Sequence, residues 1–324
     1  MVLGTPLKLS DSIPIQNSAN RATESFSMTL PNKPIAISIA FVALLACSQA
    51  IFAQVLPEAA VGIKIALAKK PTTRPMTVAY VPYVSRYYIA DGGLGPLPGD
   101  PEITTSQSQI HIYSEKGDYL NSAKPGFDNR SIYYNTDTRQ LETVTYNISA
   151  NAGFAPNTGI FVLELTEAGD LKGTSIEISG HNPAFGSPHT MPTYDPVNKR
   201  YFAKQERSNV ILIAELPKRE KIGEINLDLV AAGVAFDDIT DYYVAYTGAP
   251  GEELAVLDVD HKTIIVFDLK GKFVGKSTLP GTMKLRSHNH INGLGYANNM
   301  FFVYHENEGE FGTYYGFTIF DKAP

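Results

Sequence analysis

The chain predicts an all-β fold of the β-propeller class, and three observations carry that expectation. A four-strand pattern returns five times along the sequence. Its aromatic markers, Tyr83, Tyr134, Tyr194, Phe236 and Tyr296, recur at intervals of 51, 60, 42 and 60 residues. The last copy lacks a fourth strand, which a strand-like stretch near the start of the mature chain can supply. Periods of this size with four short strands per unit indicate blades arranged in a ring. A β-sandwich has no reason to repeat one four-strand pattern five times. Five blades fit the markers, and six units of roughly 45 residues are the alternative.

The 35–53 stretch, IAISIAFVALLACSQAIFA, has Lys33 just before it and small residues near its end. Its apolar part has the length of a signal-peptide core and is short for a bilayer span. Met28 would give a compact signal peptide, making residues 1–53 a dispensable start plus leader. Secretion or a periplasmic location follows. Leu44-Leu45-Ala46-Cys47 also resembles a lipobox, which would instead give an outer-membrane-type lipoprotein anchored through Cys47. Residues 54–75 then hold one strand, at 62–68, and a Pro-rich linker. Residues 76–324 make the propeller.

In each unit a short strand with an aromatic is followed by a tight turn and an aromatic-rich strand. The first two strands read at 77–90, 131–146, 190–204, 233–246 and 293–304. The third and fourth read at 109–122, 159–174, 209–224, 263–277 and, truncated, 314–321. A charged Gly turn joins them in most copies, and the fourth strand is the most polar. The chain stops soon after the third strand of the last unit, so the 62–68 strand is expected to complete that blade and close the ring, removing two sheet edges.

A net charge of −6 argues against nucleic acid, whose binding needs clustered Lys and Arg. One cysteine excludes an intramolecular disulfide framework. Gly-x-Ser-x-Gly, His-Glu-x-x-His and phosphate-cradling motifs are missing. Asp91, Asp128, Asp237 and Glu306 offer carboxylates, but their spacing selects no glycosidase pair.

The turns between strands one and two, and three and four, share one face and are short. The blade connections and the loops between strands two and three share the other face and carry most of the length, which marks it as the functional face. Residues just before each first strand point toward the axis there: Asn129, His189 and His290 are polar, Ala231 and Val78 are not. Asp128, His181, Arg286, His288, Asn292 and Glu306 fall nearby, giving a candidate ligand-binding set. Imidazoles, amides and a carboxylate around one axis can cap carbonyls and hold water, contact a ligand, or bind a metal through His189, His290 and Asn292. His111 and His261 read as structural.

The DYYVAY and TIIVFDLKGKFVGK segments resemble NHL- and YVTN-type propeller repeats, in which a hydrophobic-x-hydrophobic-Asp-x-x-Gly turn closes each blade. Asn292-Gly293-Leu294, followed by YANNMFFVYHE, is similar to the Asn-Gly-Leu/Ile segment of gluconolactonase-like propellers. That resemblance implies a divalent cation, usually calcium, in the central channel, with Asn292 as a ligand, and hydrolysis of lactones or esters. Two expectations result. The first is an exported propeller that binds a small molecule, glycan or protein through its long-loop face. The alternative is a metal-dependent lactonase or esterase with its site at the channel mouth.

Overall fold

The computed structural model describes residues 54–71, 74–92, 108–146, 158–216, 218–286 and 292–322. Residues 1–53, with the signal-peptide, Met28 and Cys47 readings, lie outside them, as do the 93–107 and 147–157 loops and both His288 and His290. No helix among the described residues is long and apolar enough to cross a membrane.

The fold is all-β and propeller-like. The first strand, β1 (Val55–Ala66), precedes an antiparallel sheet of β2 (Arg74–Val81), β3 (Arg86–Gly92), β4 (Gln109–Ser114) and β5 (Tyr119–Ala123). A second sheet holds β6 (Asn129–Asn135), β7 (Gln140–Thr145), β8 (Gly159–Leu165) and β9 (Leu171–Gly180). A third holds β10 (Thr193–Asp195), β11 (Arg200–Lys204), β12 (Val210–Glu215) and β13 (Glu220–Asn226). The remaining strands are β14 (Ala245–Tyr246), β15 (Leu254–Asp258), β16 (Thr263–Phe267), β17 (Phe273–Thr278), β18 (Gly295–Ala297), β19 (Met300–His305) and β20 (Thr313–Phe320). They form an 8-stranded sheet in the order β14-β15-β16-β17-β1-β20-β19-β18. Its halves join through the single parallel pair Glu58↔Thr278, whereas β1 runs antiparallel along β20 from Val55↔Phe320 to Ala66↔Thr313.

Burial explains the strand chemistry. Middle strands such as β15 and β16 are buried along their whole length, which suits runs like TIIVF. The outer strand β9 is exposed at most positions, matching its polar sequence. Apolar clusters join each sheet to the next. One spans the first three sheets through Tyr88, Ile132, Phe161 and Tyr201. A second links the third sheet to the β14–β17 strands through Phe202 and Val256. A third joins those strands to β19 and β20 through Leu257 and Phe317. The last connects β1, β19 and β20 back to the first sheet through Ile65, Phe302 and Tyr87. The recurring turn chemistry is local. Gly117, Gly169 and Gly271 sit in the charged turns at φ 88°, 84° and 78°, where an L side chain is strained.

The fourth unit departs from the expected register. Residues 233–246 were expected to form its first hairpin, yet its first strand is Ala245–Tyr246 and its second is Leu254–Asp258. Asp228 caps a helical turn, Leu229–Ala232, by accepting from the Ala231 N–H, and Gly233 ends it in the left-handed region. The Asp238 side chain then accepts from the Ala235 N–H at 2.7 Å, turning the chain again. Local hydrogen bonds therefore outcompete a ladder that the aromatic pattern alone suggests. Phe236 is 43% exposed and Tyr83, in a 3-10 turn, is 51% exposed, so neither is a marker of its unit. Ala231, in that helical turn, loses its axial assignment, whereas Val78 lines the axial space although the marker it was counted from does not hold. The structurally equivalent residues are Tyr80, Tyr134, Tyr194, Tyr246 and Tyr296, spaced 54, 60, 52 and 50 apart. The strand expected at 62–68 begins earlier and ends earlier, as β1.

Candidate ligand-binding site at the channel axis

The five short strands β2, β6, β10, β14 and β18 meet around one narrow space. A neck of about 30 Å³ lies among Thr77, Ser131, Met191, Tyr243 and Leu294, with neighbours from each strand. At the end nearest the blade connections the backbone closes in. The Tyr243 hydroxyl donates to the Arg130 carbonyl at 2.8 Å. The Ile132 N–H donates to Thr77 Oγ1 at 2.7 Å. A Cβ on Gly293 would stand 2.1 Å from the Met76 carbonyl oxygen, so only glycine permits this approach.

Toward the short-turn face the neck opens into a cavity of about 500 Å³. Six tyrosines line it: Tyr80, Tyr133, Tyr134, Tyr194, Tyr246 and Tyr296. Three of them face an aromatic ring directly across their hairpin, as Tyr80↔Tyr87, Tyr194↔Tyr201 and Tyr296↔Phe301. Those ring centroids are 4.9, 4.8 and 4.8 Å apart, a spacing that favours tilted aromatic pairs. These three cavity tyrosines are thus backed by the second strand of their hairpin. Several hydroxyls bond carboxylates: Tyr80 donates to Glu115 at 3.1 Å, Tyr194 to Asp137 at 3.4 Å, and Tyr246 to Asp195 at 2.9 Å. Burial, reinforced by Asp137, pushes Tyr194 up to about 12. Burial likewise raises Tyr246 and Tyr296, so these rings are neutral phenols at physiological pH.

None of the described residues expected from sequence lines this cavity. Asp128 is buried and accepts from Arg130 Nη2 at 2.5 Å. Asn129 is fully engaged in the wall: its Nδ2 donates to Ser108 Oγ at 2.8 Å, and its Oδ1 accepts from Thr143 Oγ1 at 2.9 Å. The His189 ring lies between Tyr146 and Tyr242, at 5.4 and 5.6 Å, with Glu206 3.7 Å from Nδ1. Tyr146 also carries the Arg130 guanidinium at 5.7 Å, so these groups share one patch. His181 lines a separate space of about 30 Å³ beside Asn182 and Phe185, and burial lowers its pKa. Asn292 clamps its own loop, donating to the Arg286 carbonyl at 2.8 Å and accepting from the Arg286 N–H at 3.1 Å. Arg286 Nε lies 3.9 Å from Glu306 and its guanidinium 5.6 Å from the Tyr304 ring.

The other histidines expected to be structural have wall partners. His111 is buried between Ser122 Oγ, 2.7 Å from Nδ1, and Asp91 Oδ2, 3.3 Å from Nε2. His261 Nδ1 lies 2.9 Å from Asp258 Oδ2 in a turn. Among the described residues no group of three or more His, Cys, Asp or Glu is arranged to hold a metal ion. Sequence reasoning missed the tyrosine cavity, although three of its residues, Tyr134, Tyr194 and Tyr296, were among the markers used to count blades. The signal was a tyrosine recurring in each of the short strands β2, β6, β10, β14 and β18.

No family model and no curated protein matches the sequence. Among solved structures the chain is similar to a glutaminyl cyclase from Myxococcus xanthus, at 10% identity and TM-score 0.48, over 83% of this chain and 100% of that one. It is also similar to a periplasmic gluconolactonase from Pseudomonas aeruginosa, at 10% identity and TM-score 0.37, over 71% of this chain and 68% of that one.

Proposed function

We propose that the protein is an exported five-bladed propeller that binds a small organic ligand end-on, in the tyrosine-lined cavity at the short-turn mouth. One observation carries this reading: all five first strands contribute to a single concave space large enough for a small molecule. The five-blade count is supported by the sheet-to-sheet apolar clusters, which return from the last strands to the first sheet. Closure by the N-terminal strand is supported by the β1–β20 ladder.

The test is a saturation-transfer NMR screen of a metabolite mixture against the wild-type protein and two variants. Thr193→Trp fills the cavity and His189→Ala alters the long-loop mouth. Ligands lost in Thr193→Trp and kept in His189→Ala support the axial site. Ligands lost only in His189→Ala would transfer the function to the long-loop face.

A second reading, a calcium-dependent lactonase-type hydrolase at the long-loop mouth, draws on the polar patch of Asp128, Arg130, His189 and Glu206. It requires stoichiometric metal in the purified protein and a calcium-dependent rise in Tm. A metal-free protein whose Tm ignores added calcium rejects it.

A further inference from the structure

The axial site proposed above also carries information about its ligand class, and the following inference rests on that site. The geometry points to a small organic ammonium ion, quaternary or protonated, held against the tyrosine ring faces of the cavity.

The lining comes first. No Lys, Arg or His appears among the described lining residues, so an anion would find no cationic partner. Hydrogen-bonding capacity is also largely committed elsewhere. The hydroxyls of Tyr80, Tyr194 and Tyr246 donate to carboxylates, as described above. Those of Tyr133 and Tyr296 have no hydrogen-bond partner among the described residues, but they are buried in the wall and so out of reach of a ligand in the cavity. Thr247 Oγ1 donates to the Glu252 carbonyl at 2.7 Å, and Asn298 Nδ2 donates to the Tyr87 hydroxyl at 2.8 Å. Ring surface, more than free donors, is what the cavity offers. The face of an aromatic ring carries a negative quadrupole, which attracts a cation placed over it.

Charge behind the rings points the same way. Glu115, Asp137 and Asp195 accept the tyrosine hydroxyls. Glu142 lies beside Tyr133 and Glu252 beside Tyr296, close enough to act on each phenol electrostatically. Only two of the five carboxylates have an ion-pair partner among the described residues: Arg200 on Asp195 at 3.0 Å and Lys199 on Asp137 at 3.5 Å. A phenol that donates to a carboxylate is polarised, which strengthens the negative ring face. An aromatic cage with an acidic surround that is only partly compensated suits the recognition of alkylammonium groups. A neutral ligand of the same shape would make no use of it.

Choline and its neutral isostere 3,3-dimethylbutan-1-ol separate charge from shape. Titration calorimetry gives both affinities. Binding of choline at least tenfold tighter than the isostere, weakened tenfold by Tyr134→Leu and retained in Tyr134→Phe, is the expected result. Far-UV circular dichroism of the two variants controls for folding. Equal affinity for the two probes, lost together in Tyr134→Leu, overturns the cation assignment and leaves the axial site standing. Failure of choline to bind also overturns it, while the metabolite screen decides the axial site independently.

Discussion

The Tyr246 hydroxyl donates a 2.9 Å hydrogen bond to Oδ1 of Asp195, joining the first strand of the fourth unit to that of the third. The same buried carboxylate accepts from the N–H groups of Val197 and Asn198, from Asn198 Nδ2 at 2.8 Å, and from Arg200 Nε at 3.0 Å. Burial alone would raise the Asp195 pKa, but these donors, led by Asn198, outweigh it and hold it below the usual value. Asp195→Ala leaves them without an acceptor and is expected to cost about 3 kcal/mol in urea unfolding. Because the folded pKa is depressed, the carboxylate's contribution is complete above the unfolded value and fades as pH falls through the folded one. The stability gap between wild type and Asp195→Asn should therefore narrow below about pH 4. A gap that stays constant down to pH 2 would show that the carboxylate's charge does not matter.

Glu142 shows the opposite sign. It is buried, with Oε1 accepting from Asn135 Nδ2 at 2.8 Å, and burial raises its pKa despite that bond and the one from Thr138. A raised carboxyl binds a proton more readily in the folded state, so its contribution is largest below the unfolded pKa and declines as pH rises through the folded one. Glu142→Gln keeps the acceptor and removes the charge. Its Tm should equal or exceed that of wild type at pH 8, with the advantage shrinking toward pH 4. A variant less stable at every pH would contradict the assignment.

Gly169 combines a φ of 84° with close packing against the first unit. Its carbonyl accepts from the Tyr88 hydroxyl, and an added Cβ would lie 2.9 Å from that oxygen. Gly169→Ala is expected to cost about 1–3 kcal/mol, read as a Tm loss of several degrees. If alanine is tolerated there without loss, the contact between the first two units is looser than described.

Gly316 tests the pairing of β1 with β20. A Cβ there would stand 2.7 Å from Ile63 Cγ2 and 3.0 Å from the Phe302 ring. Gly316→Ala should destabilise by about 1–3 kcal/mol, and adding Ile63→Ala should recover part of that loss through a coupling of about 1 kcal/mol. Strict additivity of the two substitutions would mean that they do not touch.

The sequence made the repeat legible because strand burial imposes it. Runs such as TIIVF lie between neighbouring sheets, and polar stretches such as the one in β9 form outer strands. The fourth unit was misread where side-chain capping by Asp228 and Asp238 diverts an aromatic-rich segment into turns. The tyrosine cavity escaped notice for a different reason. Tyr80 and Tyr246 are not among the spacing markers, and only their placement around one axis gives them a common surface. The polar residues Asn129 and Asn292 stood out by type, yet their amides hold local backbone and wall in place.

Gln54 and Asp321 grip each other where β1 begins and β20 ends. The Asp321 N–H donates to the Gln54 carbonyl at 3.1 Å, and the Gln54 N–H donates to Asp321 Oδ1 at 2.8 Å. Because these two strands run antiparallel, tension drawn between the segments flanking that pair meets the ladder at its end. The rungs would then carry load one after another, as in a zip, and never all together in shear. A tether attached upstream of Gln54 therefore makes this rung the mechanical fuse of the whole folded unit.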